Sequence, residues 1–193
     1  MIVAKNFVRD DRTELVSQVF DKFIMSQELH LPFERIELNI RDTTVSVVED
    51  QSALVCIDYN DPVVIEKDKK GVKMLVYREL FRLMFKFDIP RPIEDVIIDR
   101  ELIKRGFGED LFYLYYVGMM NKKHATLEDY INLNIPWISF SRHDKHNSDF
   151  MKRLAKKLAD SRPECQKLFN LLLNVPQKDV EKAVKEYERL MRV

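Results

Sequence analysis

The sequence predicts an α+β fold, in which a helix and a small sheet are followed by a long helical region. Two observations indicate this arrangement. Short runs rich in β-branched residues are confined to residues 36–66, and from residue 68 onward the apolar residues recur at helical spacing. Strands that precede helices, instead of alternating with them, are typical of α+β proteins.

The N-terminal half contains the predicted sheet. Its first helix begins after Asp10, with Asp11 and Glu14 in the positions of a capping box, and ends at Leu31-Pro32. The β-rich runs that follow predict three or four strands, at residues 36–40, 44–47, 53–59 and 62–66. The next helix is predicted from about residue 68 to residue 87, because prolines at 90 and 92 end it.

The rest of the chain is predicted to be helical, apart from an extended link at residues 136–140. One helix begins near Pro92, with Glu94 and Asp95 in its first turn, and ends near Gly106. The further predicted helices span residues 109–120, 126–133, 148–159, 162–173 and 177–191. The first of these carries four aromatic residues that we expect in the core: Phe112, Tyr113, Tyr115 and Tyr116. In an alternative, the tyrosine hydroxyls line a pocket.

Charge is balanced over the whole chain and uneven along it. With 32 basic and 32 acidic residues the net charge is zero, so there is no global signal for binding a polyanion. Residues 1–141 contain 19 Lys and Arg against 24 Asp and Glu, whereas residues 142–193 contain 13 against 8. We therefore predict an α+β domain at 1–141 and a basic helical region at 142–193 that packs on it.

The sequence gives no sign of a membrane or secretory protein. No apolar run approaches the roughly 18 residues that span a bilayer, and the N-terminus lacks the basic and apolar regions of a signal peptide. Of the two cysteines, Cys56 lies in a predicted buried strand, so a core thiol is expected and not a disulfide. These features predict a cytoplasmic protein without a membrane partner.

The segment Arg78-Glu79-Leu80-Phe81-Arg82 lies within the helix predicted at 68–87. It resembles the His-Glu-x-x-His motif of zincin metallopeptidases, in which two histidines one turn apart bind zinc and the glutamate acts as general base. Glu79 occupies the position of the base, while Arg78 and Arg82 occupy those of the ligands. Because a guanidinium group has no lone pair to give a metal, the resemblance implies a zincin relative without metal or other cofactor.

A second pair of acidic residues extends this resemblance. Asp95 and Asp99 are four residues apart and therefore lie on one face of the next helix. In the zincins called gluzincins, a downstream helix carries an acidic third zinc ligand, often followed four residues later by an aspartate. Asp95 matches the ligand and Asp99 its supporting residue, whereas Glu94, about 140° round the helix from Asp99, is the poorer match. Asp95 also has a simpler explanation, which is stabilisation of the helix dipole.

The resemblance implies a minimal zincin-like core, made of a helix, a small three- or four-stranded sheet and the motif helix. It also implies a catalytically inactive protein that binds an unknown protein or peptide partner or acts as a scaffold. In place of the zinc site we expect a salt-bridge cluster in which two arginines bridge two helices, with these members: Arg78, Glu79, Arg82, Asp95 and Asp99.

Two alternatives concern the same residues. Glu79 and Arg82 are three positions apart, so they are also explained as an ordinary surface ion pair worth a few tenths of a kcal/mol. In the other alternative the chain is a metal-free hydrolase in which Glu79 is the general base.

Two further candidates lie in the basic C-terminal region. One is a basic helix face that suits nucleic acid or an acidic partner, although a solvated face is the commoner explanation: Lys152, Arg153, Lys156 and Lys157. The other is a turn in which His143 and His146, with Asp149 nearby, have the spacing of metal ligands, although exposed polar residues are the commoner explanation. The chain contains no Gly-rich phosphate loop and no Cys-x-x-Cys motif.

Overall fold

A computed structural model of the chain describes residues 1–26, 31–85, 88–121, 126–176 and 179–192. The chain forms two compact units, Met1–Phe87 and Asp88–Val193. The first contains a four-stranded sheet with helices, and the described residues of the second form helices and turns, which confirms the predicted α+β class. Among the described residues, no helix is both long and apolar enough to cross a membrane.

The first unit has a mixed sheet in the order β1-β2-β4-β3. Its elements, in chain order, are β1 (Ile2–Asn6), α1 (Asp11–Ser26), β2 (Arg35–Arg41), β3 (Val45–Glu49), β4 (Ser52–Asp58), α2 (Pro62–Ile65) and α3 (Lys69–Phe85). Strand β2 is parallel to both β1 and β4, and β3 pairs with β4 in the antiparallel sense. Alternate residues of β2 and β4 are buried in register, with Leu38 opposite Val55, so one face of the central strands belongs to the core.

Helix α3 is held in this core by aromatic contacts with α1. The ring of Phe23 lies 4.5 Å from that of Tyr77 and 6.3 Å from that of Phe81, both edge to face. Helix α3 also packs on β3 and β4. Because these neighbours bury most of its circumference, even polar positions on α3 lie away from water.

The first turn of α3 approaches α2 closely at Gly71. A Cβ atom at this position would lie 2.5 Å from Cγ1 and 2.6 Å from Cβ of Val63, closer than van der Waals contact permits. We expect Gly71→Ala to lower the free energy of unfolding by about 1–3 kcal/mol, since overpacking outweighs the better helix propensity of alanine. Urea denaturation measures this change.

Gly118, in the middle of a helix of the second unit, is the matched control for Gly71. A Cβ added there meets nothing within 4 Å. Gly118→Ala should therefore raise the free energy of unfolding by up to about 1 kcal/mol, through helix propensity alone. Equal effects of the two substitutions would contradict the proposed close contact of α2 with α3.

Two predictions for this unit are wrong, and one strand was missed. Residues 62–66 were predicted as a strand, but Pro62–Ile65 is helical, because Asp61 accepts the backbone N–H of Val63 and proline is favoured in a first helical turn. Strand β1 was not predicted, since it pairs with β2 across a long separation and is largely exposed. The cap of α1 is Asp10 in place of Asp11, with the N–H groups of Arg12 and Thr13 donating to its side chain.

The second unit consists of helices joined by short turns. Its elements are α4 (Arg91–Leu102), a wide π-type turn (Ile103–Phe107), α5 (Gly108–Asn121), α6 (Leu127–Phe140), α7 (Lys145–Leu158), a short 3₁₀ turn (Pro163–Cys165), α8 (Gln166–Leu172) and α9 (Val180–Met191). Gly106 has a φ of 88°, which side chains disfavour, and so allows the chain to turn sharply between α4 and α5.

The predicted extended link at 136–140 is wrong, because these residues form the last turns of α6. Thr126 begins this helix with a capping box, in which its hydroxyl accepts the N–H of Asp129 and the Asp129 carboxylate accepts the N–H of Thr126. Pro136 lies inside the helix, and every residue from Leu133 to Phe140 is buried. Packing in the core therefore outweighs the hydrogen bond that a proline removes.

Both cysteines are free and buried, which confirms a core thiol at Cys56. Burial raises the pKa of Cys56, and raises the pKa of Cys165 to about 11. Neither thiol is therefore suited to act as a nucleophile near neutral pH.

A buried carboxylate on α9 makes the stability of the second unit depend on pH. Glu186 is 4% exposed, and its oxygens accept hydrogen bonds from Arg189 at 2.6 Å and Lys167 at 2.6 Å. These bonds, Arg189 first, lower the pKa of Glu186. The stabilisation is therefore fully present above the ordinary pKa of a carboxyl group and is lost as pH falls through the lowered pKa.

We expect the urea midpoint of Glu186→Gln to lie below that of the natural chain at neutral pH, and this difference to shrink on acidification. Glu188→Gln is the control, because Glu188 is half exposed and lies 3.7 Å from Arg192. Its midpoint should follow that of the natural chain at every pH. If the midpoint of Glu186→Gln differed from that of the natural chain by the same amount at every pH, the pH dependence would not come from the Glu186 carboxylate.

Candidate functional site

The residues of the zincin-like motif lie in the middle of α3. Glu79 is 1% exposed, Arg82 is 6% exposed, and Arg78 is half-buried. Their neighbours along the helix are buried apolar residues that pack on α1, β3 and β4. Two charged side chains of the motif are therefore buried, and the third is partly exposed.

Arg82 and Glu79 form a buried ion pair. Nη1 of Arg82 donates a hydrogen bond to Oε1 of Glu79 across one turn of the helix. The alternative of an ordinary surface pair is wrong, because both side chains are removed from water. Two buried charges cost several kcal/mol each to desolvate, so each depends on its partner far more than an exposed charge does.

The acidic residues of α4 lie in the second unit. Asp99 is 0% exposed, and its Oδ2 accepts hydrogen bonds from the Tyr115 hydroxyl and, at 2.9 Å, from the Ser139 hydroxyl. Asp95 is half-buried, while Glu94 is buried. Asp99 therefore joins α4 to α5 and α6 and contributes to holding the second unit together.

The described contacts bring together part of the predicted cluster. They place Arg82 with Glu79 on α3, and Asp99 with Tyr115 and Ser139 in the second unit. That Arg78 and Arg82 bridge α3 and α4 stays a prediction. Lys86, four residues after Arg82 in the sequence, is outside the described residues.

The sequence analysis missed the two hydroxyl donors to Asp99. Tyr115 was expected in the core but is half-buried, and the suggestion that tyrosine hydroxyls line a pocket was the only signal for its polar contact. Ser139 gave no signal, because its segment was predicted as an extended link. Of the other aromatic residues of α5, Phe112 packs on Phe140 and Phe150. Tyr113 and Tyr116, which were also expected in the core, are exposed.

No group of three or more His, Cys, Asp and Glu side chains is placed to hold a metal ion in the part of the chain that the structure describes. This holds for His143, His146 and Asp149, which are exposed around the start of α7. Partial desolvation lowers the pKa of His143, and the charges of Lys104, Arg100 and Arg142 lower it further.

Helix α7 presents the predicted basic face to solvent. Its buried side consists of Ser148, Met151 and Ala155, and its exposed side carries the four predicted cations, Lys152, Arg153, Lys156 and Lys157. Among the described residues, one of these cations contacts an aromatic ring: Nζ of Lys152 lies 4.6 Å from the centroid of the Trp137 ring. The exposed Tyr116 of α5 contacts Phe150 of α7, with ring centroids 6.3 Å apart.

No family model, curated protein or solved structure matches this chain. The resemblance to zincins accordingly depends on the motif at residues 78–82, the acidic pair at 95 and 99, and the order of the elements.

Proposed function

We propose that this chain is a non-catalytic binding protein with a zincin-like core, in which an arginine–glutamate ion pair stands in place of a zinc site. The observation that carries this proposal is the burial of Glu79 and its hydrogen bond from Arg82. In a zincin, the glutamate at this position activates a water molecule that zinc also binds. A glutamate that is removed from water and held by a guanidinium group is poorly placed for that task.

The chemistry of the substitution supports the same proposal. Arg78 and Arg82 supply positive charge and planar donors that match carboxylates, and neither is able to ligate a metal. A guanidinium group thus replaces the charge of a metal ion without replacing its reactivity. The core would then be retained for its shape and stability, and the function would lie on the surface.

A metal-free hydrolase with Glu79 as general base stays a prediction with less support. A general base has to come within hydrogen-bond reach of the proton that it removes. Because Glu79 is 1% exposed, a substrate or water molecule reaches it only after α3 and its neighbours separate.

Metal analysis of the purified protein tests the leading proposal. We expect much less than one zinc per chain after expression in zinc-supplemented medium, and no change in zinc content in Glu79→Gln. Stoichiometric zinc that falls in Glu79→Gln or Arg82→Met would overturn the proposal, since it would place a metal at the motif. Arg192→Met, an exposed arginine variant, is the control for altered purification.

Nucleic-acid binding through α7 is a second candidate, favoured by the four exposed cations and by the exposed Tyr116 beside them. Cations that follow one helix face attract phosphates, and an exposed aromatic ring adds a surface on which a base stacks. Together these features suit a single strand better than a duplex.

Fluorescence anisotropy with a labelled single-stranded oligonucleotide tests this candidate. We expect binding at low salt that weakens steeply as salt rises, and weaker binding with a smaller salt dependence when the four cations are changed to glutamine. Lys69→Gln with Lys70→Gln, exposed at the start of α3, is the matched control in the other unit. Absence of binding at low salt would dismiss the candidate.

A further inference from the structure

A group of basic side chains in the second unit lies close together, so that the charges of Lys104, Arg100 and Arg142 all act on His143. It consists of Arg100 on α4, Lys104 on the π-type turn, and Arg142 and His143 in the turn after α6. Arg100 is 2% exposed, while the other three side chains are exposed. Four basic residues from three elements thus meet at one place, one of them beneath the surface and three upon it.

Two of these guanidinium groups converge on a single carbonyl oxygen. Nη2 of Arg100 lies 3.3 Å from the Leu173 oxygen and 3.0 Å from that of Ile138, and Nε of Arg142 lies 2.9 Å from the same Leu173 oxygen. The partial negative charge at the end of α8 favours cations, but it amounts to about half an elementary charge. It is therefore too small to balance two guanidinium ions.

Two further nitrogen atoms of Arg100 have no described hydrogen-bond acceptor. Its Nε and Nη1 are buried, and no described residue accepts a hydrogen bond from them. Asp99, the adjacent carboxylate, is engaged by the hydroxyls of Tyr115 and Ser139. Burial lowers the pKa of Arg100 to about 10; the charge of Arg142 adds to this shift, and the charge of Asp99 opposes it only in part.

No described carboxylate pairs with the exposed members of the group. Arg142 and Lys104 form no ion pair with any residue in the described ranges. Asp144, which follows His143 in the chain, caps α7 through hydrogen bonds from the backbone and side chain of Asn147. Like charges held close together cost free energy, and an anion bound among them would recover it.

We propose that Lys104, Arg142 and His143 bind a phosphate group, either free or as a monoester, with the charge of Arg100 beneath them. The guanidinium group of Arg142 retains Nη donors that match the oxygens of a phosphate, and Lys104 adds a point charge. His143 donates a hydrogen bond to the same group when it is protonated. Arg100 acts through its charge, because its buried nitrogens do not reach a ligand at the surface.

Titration with inorganic phosphate, followed by NMR of the His143 ring at constant ionic strength, tests this site. We expect saturable shifts confined to the second unit and a rise in the pKa of His143 when the anion is bound, because a negative charge favours the imidazolium form. Arg142→Gln or Lys104→Gln should weaken binding by about tenfold, which corresponds to losing one charged contact. Lys185→Gln, at an exposed basic residue on α9 outside both proposed sites, should leave phosphate binding unchanged.

Two further titrations identify the ligand and exclude a general effect of salt. Phosphoserine binding as tightly as inorganic phosphate or more tightly means that the site accepts a monoester, and phosphoserine binding much more weakly means that it accepts the free anion. Sodium chloride at equal ionic strength should produce no saturable shift. Absence of saturation with phosphate, or equal weakening by Lys185→Gln and Arg142→Gln, would overturn the proposal.

Discussion

Replacing Arg82 with methionine should lower the free energy of unfolding by about 3–5 kcal/mol, one of the two largest effects that we expect in this chain. Methionine fills a similar volume on α3 but leaves Glu79 buried without the guanidinium group that donates to it. Glu79→Leu should be comparably costly, because it removes the carboxylate that accepts a hydrogen bond from the buried guanidinium group of Arg82. Urea denaturation followed by circular dichroism measures both changes.

The double variant separates the net contribution of the pair from the cost of breaking it. Replacing a buried ion pair with apolar residues of similar volume is often neutral or stabilising, so Glu79→Leu with Arg82→Met should recover most of the loss. The control is Arg192→Met, which removes an exposed pair with Glu188 and should change stability by less than about 0.5 kcal/mol. A loss below about 1 kcal/mol in Arg82→Met would contradict a buried pair.

This result bears on why a charged pair is present in the interior of α3. If the double variant is as stable as the natural chain, stability does not require the pair, and the alternative explanation is descent from a site where charge had a chemical use. That outcome would support the zincin-like proposal, whereas a double variant as unstable as the single variants would assign the pair a structural role.

Local signals predicted most of the fold, and the errors have identifiable physical causes. The spacing of apolar residues located α1, α3 and α4, and the alternating residues of β2 with the nearly continuous apolar run of β4 located the centre of the sheet. At Pro62–Ile65, β-branched residues favoured a strand, but the cap supplied by Asp61 and the proline beside it initiated a helix. At Pro136, packing of α6 in the core outweighed the helix-breaking tendency of proline.

The candidate site was predicted where its contacts are local and missed where they are not. The spacing of Glu79 and Arg82 was sufficient to pair them, since residues three positions apart are neighbours on a helix. Their burial was not evident from the motif, because it depends on α1 and the sheet packing around α3. Tyr115 and Ser139 lie 16 and 40 positions from Asp99, and no sequence pattern connects residues at such separations.

The second large effect is expected at Asp99, whose replacement with alanine should lower the free energy of unfolding by about 3 kcal/mol or more. The reason is that two hydroxyl donors, of Tyr115 and Ser139, lose a buried acceptor to which each hydrogen bond contributes about 1.5–3 kcal/mol. The buried guanidinium of Arg100 also loses the carboxylate whose charge opposes the lowering of its pKa. Asp99→Asn, which keeps one oxygen acceptor, should be less costly.

A double-mutant cycle assigns this loss to the hydroxyl contacts. Tyr115→Phe and Ser139→Ala should each cost about 1–3 kcal/mol alone and much less when Asp99 is already alanine, because the contact that each removes is then absent. Asp149→Ala, at an exposed aspartate of α7, controls for loss of a carboxylate and should have little effect. Equal losses in Asp99→Ala and Asp149→Ala would contradict the network. If the cycle shows full coupling, Asp99 holds α4, α5 and α6 together within the second unit, and this role holds whether or not α4 also carries the acidic half of a former zinc site.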